Sequence, residues 1–456
     1  MKKTLLLITI IITGASKQSA SAQSWSELGG LNGLAANSFI RSVCSDATGN
    51  IYAAGIFSND SGNNYVAQYD GNTWGELGGL NAIAANNFIF SVCSDGTGNI
   101  YAAGDLFNIA GNRYVDVWNG STWSQLGGVN GLTATNTIYS ICSDASGNIY
   151  AAGGFTNTSG NYYVAQWDGS TWSEAGGLDA LAADGAIASI CSDASGNIYA
   201  AGEFTNISGN YYVAQWNGST WSELGGLNAL AANSYIFSIC SDGSGNIYAA
   251  GFFRNSFGNW YVARYNGIAW NELGGFNGLA ANAAIYSIYS DASGNVYAGG
   301  AFSNGSGNKY VARYNGSIWS ELGGLNGLAP NSYIKSLCSD AAGNIYAAGD
   351  FTNISGNYYV ARYGMTVGIA DNNVEASGIK VFPNPATNQI TIYDLRFTIL
   401  FVEIYDVLGE KAISQKLTAN SQQQIVIDVS SLRSGIYFIT LTDEAGNKVV
   451  RKVVKM

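Results

Sequence analysis

Short apolar runs alternate with polar, glycine-rich breaks along most of this chain, and the alternation itself recurs. In the copy at residues 187–225, Ile187 to Cys191 (IASIC) reads as a first strand, because a short apolar run rich in β-branched residues and bounded by turn residues favours a strand. Ser192 to Asn197 then reads as a turn, in which an aspartate caps backbone N–H groups and a glycine supplies positive φ. Ile198 to Phe204 (IYAAGEF) is a second strand, Asn206 to Asn210 a loop, and Tyr211 to Trp216 (YYVAQW) a third strand. Asn217-Gly218 is a hairpin signal, and Thr220 to Leu224 (TWSEL) is a fourth strand. A longer loop, Gly225 to Asn233, leads into the next copy. No helical apolar period is sustained after residue 22.

The copies are evenly spaced. Trp25, Trp74, Trp123, Trp172, Trp221, Trp270 and Trp319 stand 49 residues apart. Cys44, Cys93, Cys142, Cys191, Cys240 and Cys338 keep the same spacing, with Tyr289 in the one slot that lacks a cysteine. Seven copies at a period near 50 imply a propeller or a solenoid, and four antiparallel strands per copy make a propeller blade. The ends favour a closed ring. Ser24 to Leu28 is a fourth strand without its first three, and Ile334 to Tyr363 holds three strands without a fourth. Pairing Ser24–Leu28 with Tyr359–Arg362 completes the last blade and leaves no unpaired edge. The expected fold is all-β, a seven-bladed β-propeller over residues 23–363.

The D-x-x-G-N-I-Y run from Asp193 to Tyr199 resembles NHL repeats. The glycine after the second strand, followed by Trp216 and Trp221, resembles kelch repeats, although the kelch Gly-Gly is present only at Gly153-Gly154 and Gly299-Gly300. Both likenesses bear on fold and not on activity.

The flanks differ from the repeats. Lys2 and Lys3, the apolar run Leu5 to Ile12 and the small residues Ala20-Ser21-Ala22 read as a signal peptide over 1–22, cleaved before Gln23. The apolar run is too short to span a bilayer, and no other transmembrane span is expected. Residues 364–378 read as a linker. Beyond it come Pro383-Asn384-Pro385, then Tyr405-Asp406 with Gly409, then Leu432 to Phe438 (LRSGIYF), and a lysine-rich end. These motifs, in this order, resemble the C-terminal sorting domain of type IX (Por) secretion substrates over residues 379–456. The resemblance implies a small immunoglobulin-like β-sandwich, recognition by the outer-membrane translocon, and removal after export, often with transfer of the cargo to a surface glycolipid. The expected product is secreted or attached at the cell surface.

Composition narrows the chemistry. Between Gln23 and Tyr363 there are 8 Lys/Arg and 22 Asp/Glu, a balance of −14, whereas Ile379 onward holds 9 and 7. An acidic repeat domain repels phosphate backbones, so no nucleic acid partner is expected. The chain has no histidine, which removes Ser-His-Asp and Cys-His catalysis and His-ligated zinc. The six cysteines occupy one slot of successive blades, where equivalent Cα atoms should lie beyond the roughly 7 Å a disulfide allows. They read as free, buried, small apolar side chains. The repeated turn aspartate and the repeated glutamate of WSEL read as turn-forming and solvated positions. No metal and no cofactor are expected, and the protein is expected to be a monomer.

In an antiparallel blade, the start of strand one, the end of strand two and the start of strand three share one rim, and this rim varies between copies. The slot after strand two holds Ile56, Asp105, Gly154, Glu203, Phe252, Ala301 and Asp350. The slot opening strand three holds Asn64, Arg113, Tyr162, Tyr211, Trp260, Lys309 and Tyr358, and a slot in strand one holds Arg41, Phe90, Tyr139, Ala188, Phe237, Tyr286 and Lys335. Two functions follow. One is non-catalytic binding or adhesion to a glycan or another surface polymer, with Tyr162, Tyr211, Trp260 and Tyr358 as platforms and Asp105, Glu203 and Asp350 as polar contacts. The other is an extracellular glycoside hydrolase or lyase using those three carboxylates as acid and base, which requires a pair about 5–10 Å apart. No catalytic residue is assigned. Divergence among duplicated copies, with the aromatics packing between blades, is the competing explanation of the variation.

Overall fold

The computed structural model describes residues 23–128, 131–365, 380–393, 399–406, 411–416, 424–443 and 448–456. The signal-peptide reading of 1–22 and residues 366–378 of the expected linker lie outside the described residues. The chain divides into two compact units, one holding residues 22–365 and the other the C-terminal residues from 366.

The first unit is built of seven four-stranded antiparallel sheets. Six take their strands in sequence order, as in Ile187–Ser192, Ile198–Gly202, Ala214–Trp216 and Trp221–Glu223. The seventh joins the two ends of the repeat array. Gln23–Glu27 pairs with Ala361–Met365, with Trp25 opposite Tyr363 and Glu27 opposite Ala361. Strands two and three are shorter than their apolar runs except in the second blade, where they span Ile100–Phe107 and Arg113–Trp118. After Gly202 the chain leaves the ladder, and Glu203 donates its N–H to the Ala186 carbonyl at 2.8 Å. Tyr211 then pairs by an isolated bridge with Thr205 and with Ala232 of the next repeat.

Two rings of hydrogen bonds tie the blades together. Strand one is an edge strand, and its outward N–H groups need acceptors. A serine of the preceding blade supplies one each time. Ser42 Oγ accepts from Val92 N–H, Ser91 from Ile141, Ser140 from Ile190, Ser189 from Ile239, Ser238 from Ile288, Ser287 from Leu337, and Ser336 from Val43, which closes the circle. The outer ring is made by the repeated tryptophan, whose indole N–H donates to a main-chain carbonyl of the neighbouring blade. Trp74 donates to Leu28 at 2.8 Å and Trp25 donates to Leu322 at 2.9 Å across the closure.

Between these rings the blades pack through Ile, Val and Ala of the first two strands and a fully buried phenylalanine after strand two, such as Phe204, which lies edge-on to Tyr212 at 4.9 Å. The glycine that ends strand two is required by close approach. A Cβ on Gly251 would land on the Tyr235 carbonyl oxygen, and each of the other six copies meets the same obstacle.

The turn between strands one and two explains the repeated aspartate. Asp193 Oδ1 accepts from the Ser195 and Asn197 N–H groups, and Oδ2 from Asn197 Nδ2 and the Tyr199 hydroxyl. The glutamate of WSEL was expected to be a solvated strand position, and the structure corrects this. Glu272 accepts from Asn255 Nδ2 and from the Asn277 N–H at 2.8 Å, so it pins two loops together. Partial burial raises Glu27 and Glu174 above the usual carboxylate range.

All six thiols are free, and only Cys338 is fully buried. The other five keep partial exposure on the innermost strand, against the expectation of complete burial, although enough protein surrounds them to push the Cys93 and Cys240 thiols up to about 12. Where tyrosine replaces cysteine, the Tyr289 hydroxyl meets Ser339 Oγ at 2.9 Å. In the other blades the equivalent serine donates to the carbonyl of the serine one repeat earlier, as Ser290 does to Ser241.

The second unit has a three-stranded sheet (Lys380–Phe382, Gln389–Tyr393, Gln424–Asp428) and a four-stranded sheet (Lys411–Lys416, Ile399–Asp406, Gly435–Asp443, Lys448–Lys455). They share one core, including Ile390, Ile392 and Ile427 from one sheet and Val402, Ile439 and Leu441 from the other. The Pro-Asn-Pro segment clamps the chain end: Ala386 N–H donates to Val454, Met456 N–H donates to Ala386, and Val454 N–H donates to Asn384 Oδ1. The Tyr437 hydroxyl donates to the Arg433 carbonyl at 3.0 Å, which fixes the corner of the LRSGIYF motif.

Candidate functional site

The variable rim is assembled as the strand order requires. In every blade the residue after strand two bonds by its N–H to the carbonyl of the residue just before strand one, as Phe252 does to Tyr235 at 2.8 Å and Asp350 to Tyr333 at 2.9 Å. A bulge at the start of strand one follows, between Ile236 and Ser238 in the fifth blade. Three side chains per blade therefore gather at one end of the innermost strands.

Across the fourth to seventh blades these side chains form a continuous aromatic run. Tyr211 lies edge-on to Tyr235 at 5.2 Å, Tyr235 meets Phe237 at 6.4 Å, and Phe237 meets Phe252 at 4.8 Å. Phe252 meets Tyr286 at 6.2 Å and Tyr286 meets Tyr333 at 5.8 Å. Tyr235, Phe252 and Tyr333 are 37–41% exposed, large values for aromatic rings in contact with one another. The slot just before strand one supplies Tyr235 and Tyr333. Sequence reasoning passed over it, because these residues fall one position outside the first apolar run. Its content (Phe39, Phe88, Thr137, Ala186, Tyr235, Ala284, Tyr333) varies as much as the slots that were singled out.

The expected aromatic platforms are more deeply set. Tyr162, Tyr211, Trp260 and Tyr358 are partly buried and each packs against the hydrophobic core of a blade interface. The face of Trp260 is covered by the Arg254 guanidinium at 3.7 Å, and its indole nitrogen is buried without a hydrogen-bond partner. Tyr358 stands edge-on to Phe39 at 5.2 Å. Of the four, Tyr211 joins the exposed aromatic run.

The three carboxylates do not share partners. Asp105 is held by Arg113 Nε at 2.8 Å, Asn87 Nδ2 at 2.8 Å and the Thr137 hydroxyl at 3.1 Å. Asp350 lies 3.7 Å from both Arg41 Nη1 and Lys335 Nζ. Glu203 is exposed. Burial, and then the charge of Glu203, hold the Tyr139 phenol above its ordinary value.

Around Asp350 the rim turns cationic. Lys335 Nζ sits 3.6 Å from the Tyr286 ring centre and 5.2 Å from that of Tyr333, and Lys309 Nζ lies 5.9 Å from Tyr333. Burial lowers the Lys335 ammonium, Asp350 opposes that shift, and Arg41 adds to it.

A second set of concavities lies beside the fourth strands. One of about 230 Å³ is lined by Tyr261, Trp270, Glu272 and Asn255, and one of about 220 Å³ by the equivalent Tyr310, Trp319, Glu321 and Asn304. Their glutamate and asparagine groups bond to one another and to nearby main chain, so their recurrence follows from the architecture.

Comparison with known proteins separates the two units. Residues 380–456 match the family described as the secretion system C-terminal sorting domain. That domain directs export across the outer membrane by the type IX system, to the cell surface or the extracellular space. An endo-acting ulvan lyase from Formosa agariphila is 32% identical over 89 residues, which is 20% of this chain and 17% of that protein. Two extracellular domains from B. thetaiotaomicron, described as parts of hybrid two-component systems, superpose with TM-scores of 0.50 at 11% and 15% identity. They cover 95% and 96% of this chain and 58% and 59% of their own. The chain thus spans less than two thirds of these relatives, and at such identity the likeness is one of fold.

Proposed function

We propose that the exported propeller is a non-catalytic binding protein of the cell surface, and that its ligand, a glycan or related surface polymer, lies across the variable rim. The observation that carries this reading is the exposed aromatic run from Tyr211 to Tyr333. Aromatic faces at a water-exposed rim are suited to the apolar faces of sugar rings, while hydroxyl and carboxylate groups beside them, here of Tyr139 and Glu203, offer hydrogen bonds. A run that crosses several blades fits an extended polymer better than a small molecule. The hydrolase or lyase reading draws less support. Asp105 is committed to Arg113 and two hydrogen-bond donors, and Asp350 sits between two cations, which leaves Glu203 as the one free carboxylate of the three.

The test is a glycan and surface-polymer binding screen with the full chain, alongside Phe252→Ala, Tyr235→Ala and Trp260→Ala. The expected result is loss of binding in the first two with little change in melting temperature. Trp260→Ala should instead lower the melting temperature, since that ring packs on the core. Unchanged binding in both Phe252→Ala and Tyr235→Ala would remove the rim as the site.

A further inference from the structure

The rim differs in charge where the sixth, seventh and first blades meet, and, resting on the reading of the rim as a binding surface, we propose that this sector holds a subsite for an acidic sugar, one that carries a carboxylate or a sulfate. Eight cationic residues serve the whole propeller against 22 acidic ones. Three of the eight lie in this sector: Arg41 and Lys335 face one carboxylate, Asp350, and Lys309 lies beside the Tyr333 ring.

The pairing is loose. At 3.7 Å both contacts to Asp350 exceed hydrogen-bond length. Arg41 Nε and Asp350 Oδ1 are buried without any hydrogen-bond partner, an arrangement that is costly unless something completes it. The same rim shows what a closed pair looks like: Arg113 and Asp105 meet at 2.8 Å, and Asn87 and Thr137 satisfy the carboxylate further. The Asp350 sector lacks such closure. Its lysines lie against the Tyr286 and Tyr333 rings, which hold a cation without neutralising it.

An anionic oxygen placed beside Arg41 and Lys335 would give the guanidinium an acceptor and relieve the repulsion between the two cations. The adjoining Tyr333, 41% exposed, offers apolar surface beside these cations for the sugar ring that carries the anion. The balance of −14 over the propeller sets a limit, because a long polyanion would be repelled. The fit is to an acidic residue within or at the end of a largely neutral glycan. Uronate and sulfate present the same chemistry to these groups.

The experiment uses the full chain and three immobilised oligosaccharides of equal length, ending in glucuronate, in a sulfated glucose or in plain glucose. Binding is read by interferometry at low and high salt. At least one acidic form should bind about tenfold tighter than the neutral one, the equivalent of one charged hydrogen bond at the lower end of its range, and the gap should shrink with salt. Which acidic form is preferred identifies the source of the anion. Arg41→Gln combined with Lys335→Gln should close the gap. Asp350→Asn removes the competing carboxylate and leaves both cations, so it should widen the gap, a gain that misfolding cannot imitate. Equal affinity for acidic and neutral forms, or no tightening in Asp350→Asn, overturns the proposal; neutral binding that is still lost in Phe252→Ala would then leave the rim reading standing. Failure of all three ligands to bind overturns both.

Discussion

Asp116 breaks the repeat in a way that makes stability depend on pH. The six equivalent positions are alanine: Ala67, Ala165, Ala214, Ala263, Ala312 and Ala361. Each alanine lies opposite the repeated glutamate in the fourth strand, as Ala214 lies opposite Glu223, whereas Asp116 lies opposite Gln125. Asp116 is 6% exposed, and burial pushes its carboxyl up from 3.8 to about 7. That rise corresponds to roughly 4 kcal/mol. The sign follows from proton uptake. Between about pH 4 and pH 7 the folded chain keeps a proton that the unfolded chain has released, so stability falls as pH rises through that window. Above about pH 7 both states are ionised and the full penalty of a buried charge remains. Asp116→Asn keeps the shape and removes the titration. Urea unfolding of the full chain, followed by tryptophan fluorescence at intervals from pH 4 to pH 8.5, should show the variant more stable by up to about 4 kcal/mol at pH 8. The advantage should vanish toward pH 4. The difference between the two proteins is the measure, because Glu27 and Glu174 are shifted in the same direction in both. An advantage that does not change with pH, or a variant less stable at pH 8, would refute the reasoning.

Three further substitutions test the ring. Ser287→Ala leaves the Leu337 N–H without its acceptor at a buried site, and should cost about 1–3 kcal/mol in the same unfolding assay. Gly251→Ala drives a methyl group into the Tyr235 carbonyl, and should cost at least the ~1–3 kcal/mol typical of overpacking, read as a lowered melting temperature; an unchanged value would mean the strand can shift freely. Tyr289→Cys restores the repeat and releases Ser339 Oγ, so stability should change by about one net hydrogen bond, on the order of 1 kcal/mol or less, in the same unfolding assay.

The architecture was legible because each repeated residue has a local reason to recur. The spacing of tryptophans fixed the period and number of the repeats, and the incomplete repeats at Ser24 and Tyr363 located the closing sheet. What the pattern could not convey was partnership across repeats. Glu272 looks like any polar residue on an exposed strand, and its bond to the Asn277 main chain depends on the path of a loop. Ser42 and its equivalents look like polar residues of an edge strand, and the acceptor role appears only when the next blade is beside them. The rim was located by slot but misjudged in depth. Tyr162, Trp260 and Tyr358 open strand three, and the early departure of strand two from the ladder turns those positions toward the blade interface. The residue before strand one comes to the surface instead, as Tyr235 and Tyr333 do.

Variation between copies is therefore not by itself a sign of function. Some departures from the repeat carry their own compensation inside the protein. Tyr289 is met by Ser339, and Asp105 by Arg113 with Asn87 and Thr137. Each of these pairs can arise and persist for structural reasons alone. Other departures have no such answer. Tyr235, Phe252 and Tyr333 remain exposed although burial would stabilise each of them, and Arg41 and Asp350, beside Lys335, each keep a buried polar atom without a partner. Residues whose chemistry is left incomplete by the folded chain are the ones that a partner outside the chain can complete. Tyr235, Phe252, Tyr333, Arg41, Lys335 and Asp350 are of this kind, and they lie on one rim, between the fourth and the first blade.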